Sequence, residues 1–243
     1  MAEGYTYKVP LLSKGKLYDG GLKELEFRKM KIPERVILSS AKSPLQKLRA
    51  ILKNCLVSPV SFDIDSLLLP DAAWCIMHIR AESISPQFTW NAQCPHCGQI
   101  NKVSKTLPND LIIKDDIDLD NIVEPFEVEA NGNKYGIKFL RMSSQIASER
   151  NRNTNPQLQE DELVTVLAMR LDSINGDHIN YREAIKHIKE MDYMPSMNLT
   201  DAIEKQDFGS DLEVMATCEY GTCGLEFKTT VAMGAEFFRP TEG

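Results

Sequence analysis

Cysteines are the residues of this 243-residue chain whose chemistry stands out, and four of the six form two close pairs. Cys94 and Cys97 enclose two residues, Cys218 and Cys223 enclose four, and a glycine follows the second cysteine of each pair. Thiolates bind zinc strongly, and spacers of two to four residues are typical of zinc-binding pairs. The sequence therefore predicts one structural zinc ion held by all four cysteines.

Four thiolates close the tetrahedral shell of zinc and leave no position for a reacting water, so catalytic zinc is not expected. The residues leave two alternatives open. Cys94 and Cys97 also fit the C-x-x-C pattern of redox proteins, although that motif usually opens a helix after a strand. The cysteines can instead be unpaired core residues, as we expect for Cys55 and Cys75. His96 can replace a cysteine ligand, but we expect it to be exposed to solvent.

No other group of residues is typical of an enzyme. The sequence contains no glycine-rich phosphate loop, no G-x-S-x-G turn and no H-E-x-x-H motif. Of the isolated histidines, His78 lies in an apolar segment and is expected at the core or its boundary, whereas His178 and His187 are expected at the surface. The protein is predicted not to be an enzyme and to have no small-molecule substrate.

Segments of strand-like sequence flank both cysteine pairs. Residues 88–93 and 103–107 surround the first pair, residues 212–218 and 225–231 surround the second, and all four alternate in polarity. Each pair is therefore expected at the tip of a β-hairpin. Two hairpins that bring cysteine-bearing turns together have the architecture of a zinc ribbon.

The remaining elements are mostly helical. Apolar residues recur at helical spacing over 45–55, after Ser43, which can cap a helix, and Pro44, which suits its first position. A second helical stretch covers 63–83, with an interruption expected at Pro70. Residues 143–208 are predicted to be helical, most clearly over 158–171. Asn131-Gly132 between two alternating runs predicts a further hairpin.

These patterns give an α+β fold class with a helical N-terminal part, zinc-ribbon-like antiparallel β-hairpins and a helical insertion between the two cysteine pairs. The predicted parts are an extended N-terminal segment over 1–38 with a short strand at 36–38, a helical hairpin over 39–85, a ribbon-like β domain made of 86–142 and 209–237, and the insertion over 143–208. The insertion is tolerable because closing a loop costs only about 0.6 kcal/mol more per doubling of its length.

The composition is that of an acidic globular protein, with 42% hydrophobic residues and a formal net charge of −7. Such a surface repels nucleic-acid phosphates. No apolar run approaches the ~18 residues of a membrane helix, and the N-terminus lacks the apolar region of a signal peptide. We expect a protein kept in a cytosol, where thiols stay reduced, with no membrane partner.

The order of several short motifs points to a family. Gly15-Lys16-Leu17-Tyr18 leads into the helical part, Ile79-Arg80-Ala81-Glu82-Ser83 precedes Cys94-Pro95-His96-Cys97-Gly98, and a strand ends in Asp110-Leu111. This order resembles the baseplate hub and tail-assembly proteins of T-even-like contractile-tailed bacteriophages. The resemblance covers about 5–140 and 210–235 and does not extend to 143–208.

The resemblance implies a non-enzymatic virion or assembly protein that helps to build the central hub of the tail baseplate. The partners of the protein would be other phage baseplate and tail subunits, and the resemblance is compatible with an oligomer within the hub. The protein would be present in the host cytoplasm during assembly and then in the virion tail baseplate. A permanent subunit and a transient assembly factor are both compatible with it.

The alternative function is a zinc-ribbon module that binds nucleic acid. Trp90, His96, Lys102 and Lys105 lie near the first cysteine pair and form an aromatic and basic group that can face a single strand. The net negative charge and Glu219 beside the second pair argue against this function, so nucleic acid is not the expected partner.

Overall fold

The computed structural model describes residues 5–114, 117–154 and 162–240 of the chain. Its helices are α1 (Ile32–Leu38), α2 (Pro44–Cys55), α3 (Leu69–Ser83), α4 (Met142–Thr154), α5 (Glu162–Arg170), α6 (Tyr181–Lys189) and α7 (Tyr193–Glu204). Its strands are β1 (Thr6–Pro10), β2 (Glu24–Arg28), β3 (Leu56–Ser58), β4 (Gln87–Gln93), β5 (Ile100–Thr106), β6 (Ile113–Lys114), β7 (Phe126–Ala130), β8 (Asn133–Ile137), β9 (Leu171–Ile174), β10 (Asp177–His178), β11 (Gly209–Ser210), β12 (Glu213–Thr217) and β13 (Glu226–Thr230). All the strand pairs are antiparallel, which confirms the α+β class. Within the described ranges, no helix is both long and apolar enough to cross a membrane.

The N-terminal sheet, in the order β1-β2-β3, packs with α2 and α3 around a first hydrophobic cluster. Helix α2 begins as the sequence predicts, since the Ser43 side chain accepts a hydrogen bond from the N–H of Gln46 at 3.2 Å and Pro44 occupies the first turn. Pro70 does not interrupt a helix but lies in the first turn of α3. The residues before it, Ile64–Ser66, form a short 3₁₀ helix.

Helix α1 replaces the strand predicted over 36–38. The apolar triplet Val36-Ile37-Leu38 favours a strand locally, but the preceding residues start a helix. The buried carboxylate of Glu34 accepts a hydrogen bond from the N–H of Lys31 at 2.6 Å and pairs with Arg28. That pairing binds the first turn of α1 to β2, which outweighs the local preference of three residues.

The residues between the two cysteine pairs in sequence form a second sheet, with the strand order β10-β9-β8-β7. Its hairpin β7–β8 turns at Asn131 and Gly132, both with positive φ, as the sequence predicts. The segment also carries α4 to α7 and two short strands, β9 and β10, that the sequence did not predict. The helix predicted over 158–171 falls partly outside the described residues; α5 is described from Glu162 to Arg170.

A second hydrophobic cluster joins this sheet to the helices of the insertion. Buried residues of β7 and β8 pack there with residues of α5, α6 and α7, among them Phe126, Tyr135, Leu167, Ile188 and Leu199. The hairpin β7–β8, grouped above with the cysteine hairpins, therefore shares its sheet and core with the insertion. The four-part division of the chain stays a prediction.

The short pair β6–β11 marks where the chain leaves the ribbon-like part and returns to it. Gly209 pairs with Lys114 and Ser210 with Ile113. Because residues separated by the whole insertion are adjacent here, the hairpins β4–β5 and β12–β13 emerge from a common base. This arrangement allows turns that are far apart in sequence to meet.

Candidate metal centre

The first cysteine pair lies in the turn of the β4–β5 hairpin. The strands pair in register from Gln87 with Thr106 to Gln93 with Ile100, and the turn follows directly. The N–H of Cys94 donates to the carbonyl of Gln99 at 2.9 Å, and the N–H of Gly98 donates to the carbonyl of Cys94 at 2.9 Å. Gly98 has a φ of 75°, a conformation that glycine adopts at low cost.

The second pair lies in the turn of the β12–β13 hairpin and is built in a similar way. The N–H of Cys218 donates to the carbonyl of Leu225 at 2.9 Å, and the N–H of Cys223 donates to the carbonyl of Tyr220 at 2.8 Å. Gly224, after the second cysteine, has a φ of 60°. In both turns the first cysteine bonds to the residue two positions after the second cysteine, so each turn presents its two sulfurs together.

The two turns meet, and the four sulfur atoms lie within 4.8 Å of one another. The Sγ atoms of Cys94 and Cys223 are 3.9 Å apart, and those of Cys97 and Cys218 are 3.6 Å apart. A tetrahedron with zinc–sulfur bonds of about 2.3 Å has sulfur–sulfur edges of about 3.8 Å. All four cysteines are free thiols, so the cluster matches the donor set and size of a four-thiolate metal site.

The cluster is covered on one side and open on the other. Cys94 and Cys218 are buried, Cys223 is half-buried and Cys97 is exposed. Around them lies a third hydrophobic cluster whose other buried members are Ala92, Val103 and Phe227. So few apolar side chains contribute little burial, and an isolated two-stranded hairpin is marginally stable in water.

The protonation of the cysteines also suits a cation. Burial raises the pKa of the Cys94 thiol, but the backbone N–H groups of Cys97 and His96 outweigh it and bring that pKa to about 7. At Cys97 the N–H of Gln99 lowers the pKa, but burial and the surrounding cysteines raise it to about 12. A bound divalent cation lowers the pKa of thiols that coordinate it, so it would allow neighbouring cysteines to ionise together.

Hydrogen bonds between the hairpins hold the two turns together. The buried amide of Asn101 accepts from the N–H of Glu219 at 2.8 Å and donates to the carbonyl of Gln99 at 3.1 Å. Sequence reasoning missed Asn101. Its only signal is an amide at an inward-facing position of β5, where burial alternates from residue to residue.

His96 and Trp90 also link the hairpins. His96 is exposed, as expected, and its Nε2 lies 3.2 Å from the carbonyl oxygen of Glu226 rather than in the sulfur cluster. The half-buried Trp90 stacks on Phe88 and its Nε1 donates to the hydroxyl of Thr229 at 3.3 Å. One face of the Trp90 ring and its indole N–H are therefore used in contacts within the protein.

The other residues singled out from the sequence lie elsewhere. Cys55 and Cys75 are buried in the first cluster, where burial raises the pKa of both thiols. His78 is half-buried, which lowers its pKa, and His178 is exposed. His187, expected at the surface, is half-buried with its Nε2 3.4 Å from the hydroxyl of Tyr135.

The fold and the site together define a class: an α+β protein in which two cysteine-bearing β-hairpins meet at a four-thiol centre on either side of an inserted sheet-and-helix unit. A family model described as "T4 bacteriophage base plate protein" matches residues 4–239. The chain belongs to this family and is a structural protein of the phage tail baseplate. Comparisons with curated proteins and with solved structures find no match.

The match confirms the resemblance at the level of the baseplate family. It also extends over the insertion at 143–208, where no motif could be matched from the sequence. A baseplate protein is a component of the virion tail, and its partners are other tail proteins.

Proposed function

We propose that this protein is a structural or assembly component of the central hub of the tail baseplate, stabilised by one zinc ion bound to Cys94, Cys97, Cys218 and Cys223. It acts through contacts with other baseplate and tail subunits, after assembly in the host cytoplasm. The family match supports the baseplate role. The observation that carries the metal site is the meeting of four sulfurs from two hairpins.

Zinc is the metal that we propose because four thiolates at tetrahedral distances select zinc or iron among common metals, and zinc needs no redox partner. When bound, zinc would offset part of the negative charge of the four thiolates and connect the two hairpins through coordination bonds. The residues around the zinc would position its ligands. Asn101 fixes the second turn against β5, and the buried Cys94 and Cys218 orient the ligands from inside.

The metal would hold together a part of the molecule that cannot rely on its own core. The third cluster is small, and its two hairpins enter it from distant parts of the chain. Structural zinc sites supply folding energy directly. The surfaces fixed in this way are those through which a baseplate component would contact its neighbours.

The nucleic-acid alternative has less support. Trp90, the aromatic residue that would stack on a base, already has one ring face stacked on Phe88 and its indole N–H bonded to Thr229. Base stacking requires an open aromatic face, and affinity for a strand requires positive charge. The chain carries a net charge of −7.

The zinc site is tested by measuring the metals that purify with the full chain. We expect about one zinc per chain for the wild type and about none for Cys218→Ser, because three ligands leave the shell open. Cys75→Ala, which removes a buried cysteine outside the centre, should keep the zinc. Iron in place of zinc, or zinc retained by Cys218→Ser, would contradict the proposed site.

The place in the baseplate is tested in infected cells. A tagged chain is cross-linked during assembly and in purified particles, and the cross-linked neighbours are identified by mass spectrometry. We expect neighbours at the axis of the baseplate, where the tail tube starts. Cross-links confined to peripheral baseplate proteins would exclude the hub. Presence in mature particles identifies a permanent subunit, and presence only in assembly intermediates identifies an assembly factor.

A further inference from the structure

Helix α1 presents an exposed apolar face with a basic rim. Ile32 is 78% exposed and Val36 is 64% exposed. They lie at positions i and i+4, so their side chains are neighbours on one face of the helix. Lys31 and Arg35 flank them and are exposed. In the described part of the chain, neither of these cations forms an ion pair with a carboxylate.

The opposite side of α1 fixes the helix in place. Both carboxylate oxygens of Glu34 accept from the guanidinium of Arg28, at 3.1 Å each, and Glu34 is buried. Because the helix is held through Glu34 against β2, its outer face is presented in one orientation. A preformed face of this kind binds a partner without an ordering cost.

Helix α7 presents a second exposed apolar face, and its rim is acidic. Tyr193 is 74% exposed, Met194 is 62% exposed and Met197 is also exposed. Asp192 precedes them, and Asp201 follows one turn after Met197 on the same face. Asp192 occupies the N-cap position but its side chain makes no capping hydrogen bond.

The inner side of α7 is also fixed. Leu199 and Ile203 are buried in the second cluster, and the amide of Asn131 donates to the carbonyl of Pro195 at 2.8 Å. This bond attaches the first turn of α7 to the β7–β8 hairpin. The exposure of the apolar outer face is therefore not caused by a loose helix end. Single exposed apolar side chains are common on protein surfaces, but three adjacent ones require an explanation.

The two faces are complementary to each other. Each has an apolar centre, one has a basic rim and the other an acidic rim. Interfaces commonly combine an apolar core rich in tyrosine and methionine with a charged rim that selects the partner. Helix α1 packs on the first cluster and α7 on the second. The outer faces of both helices are exposed in the single chain.

We propose that the α1 face of one copy of this chain binds the α7 face of a second copy. The partner is a second copy because one chain carries both an apolar face with a basic rim and an apolar face with an acidic rim. The basic α1 rim lies in the lysine- and arginine-rich first fifty residues of a chain of net charge −7, and the same chain supplies an acidic face that suits it. Since the two faces differ, the contact either repeats from copy to copy or is made twice in a two-fold dimer.

The first test is the oligomeric state of the full chain by analytical ultracentrifugation, at concentrations up to about 200 µM, above the micromolar Kd of a modest interface. We expect the wild type to associate with rising concentration. Ile32→Asp and Tyr193→Asp should each weaken the association about tenfold or more, because each places a charge in an apolar centre. Val60→Asp is the matched control, since Val60 is 87% exposed and lies outside both faces.

Mixing the two weakened variants is the sharper test. Ile32→Asp retains an intact α7 face and Tyr193→Asp retains an intact α1 face, so a mixture should form pairs and nothing larger. Charge reversal tests the same contact through its rims. Arg35→Glu should weaken association, and adding Asp201→Lys in the same chain should restore it. Circular dichroism and zinc content of each variant should equal those of the wild type, because the changes are on the surface.

Two results would overturn the proposal. A wild type that remains monomeric over the whole concentration range would assign these faces to a different protein. Association that persists unchanged in both Ile32→Asp and Tyr193→Asp would place the self-contact elsewhere. Neither result bears on the zinc site, which is measured separately by metal content.

Discussion

At the scale of single residues, Asn101 is a side chain that holds together the two turns of the proposed zinc site without being a ligand. Its oxygen accepts from the N–H of Glu219, which is 118 residues away in sequence. We expect Asn101→Ala to leave Glu219 without this buried acceptor, at a cost of roughly 1–3 kcal/mol. The variant should bind zinc but release it faster to a chelator, since the second turn is then held less firmly.

The matched control is Asn91→Ala, which removes an exposed asparagine from the neighbouring strand β4. Its rate of zinc release should equal that of the wild type. Equal rates for Asn101→Ala and Asn91→Ala would show that Asn101 has no positioning role.

Asp71 gives a prediction about pH. The N–H of Ser13 donates to one of its oxygens at 3.1 Å and the hydroxyl of Tyr18 to the other at 2.7 Å, but burial outweighs them and raises its pKa from the usual 3.8. The folded state therefore holds the proton more tightly than the unfolded state does. Stability contributed by Asp71 is present below pH ~4 and is lost as the pH rises through the raised pKa.

Asp71→Asn removes this titration. The difference in unfolding free energy, wild type minus variant, should fall as the pH rises above ~4 and then level off. Urea unfolding at a series of pH values measures it. A difference that rises with pH in Asp71→Asn would contradict the raised pKa.

The contrast between the cysteines and these two polar residues shows what a sequence can reveal about a site. The cysteines were found because ligand type and spacing within each pair are local properties. The roles of Asn101 and Asp71 depend on partners more than 50 residues away. No local pattern encodes such partners, so only the folded chain brings them together.

At the scale of elements, local signals predicted well where they agreed with the tertiary contacts. The hairpin turn at Asn131-Gly132 and the start of α2 at Ser43 and Pro44 are examples. Strand β9 was missed because its apolar residues continue the pattern of α5. It forms a strand because β8 offers a partner, and Gly136 leaves room for the close approach of Ser173.

The cap of α2 is a direct test at this scale. Ser43→Ala removes the acceptor for the N–H of Gln46, and such caps contribute about 1 kcal/mol. We expect the free energy of unfolding to fall by about that amount in urea titrations. Ser61→Ala, at an exposed loop position, is the control and should change it little. Equal effects in the two variants would mean that the cap is not stabilising.

At the scale of the whole molecule, the chain is held together by contacts between distant segments. The first cluster contains residues from β1 to the C-terminal 3₁₀ turn Ala235–Phe238. The buried residues of the second come from 68 to 208, and Leu12, Leu17 and Tyr18 pack against them. The cysteine centre adds a third junction between hairpins on either side of the insertion. Composition and periodicity predicted the parts. Of the three junctions, the sequence predicts the cysteine centre, because the shared ligand chemistry links its two pairs, whereas the partners in the two apolar clusters have no such label.

Arg80 is a polar junction between distant segments of the chain. Its fully buried guanidinium donates to the carbonyls of Phe237, Ser85 and Gln87 and lies over the ring of Phe88 at 4.7 Å. Burial lowers its pKa to about 10, so the group remains charged at neutral pH. Among the residues described, no carboxylate pairs with it. The charge is satisfied by backbone oxygens alone, and this binds α3, the root of β4 and the C-terminal turn into one unit.

Arg80→Met keeps the apolar stem and removes all three donors. We expect the free energy of unfolding to fall by roughly 1–3 kcal/mol, because buried carbonyls lose their partner. Amide hydrogen exchange should rise most in the C-terminal turn, where the N–H of Phe237 donates to the carbonyl of Gly234. Arg239→Met, which removes an exposed arginine beside the same turn, should leave exchange unchanged. If Arg80→Met also left exchange unchanged, the turn would be held by apolar packing, and the guanidinium would not join α3 to the C-terminal turn.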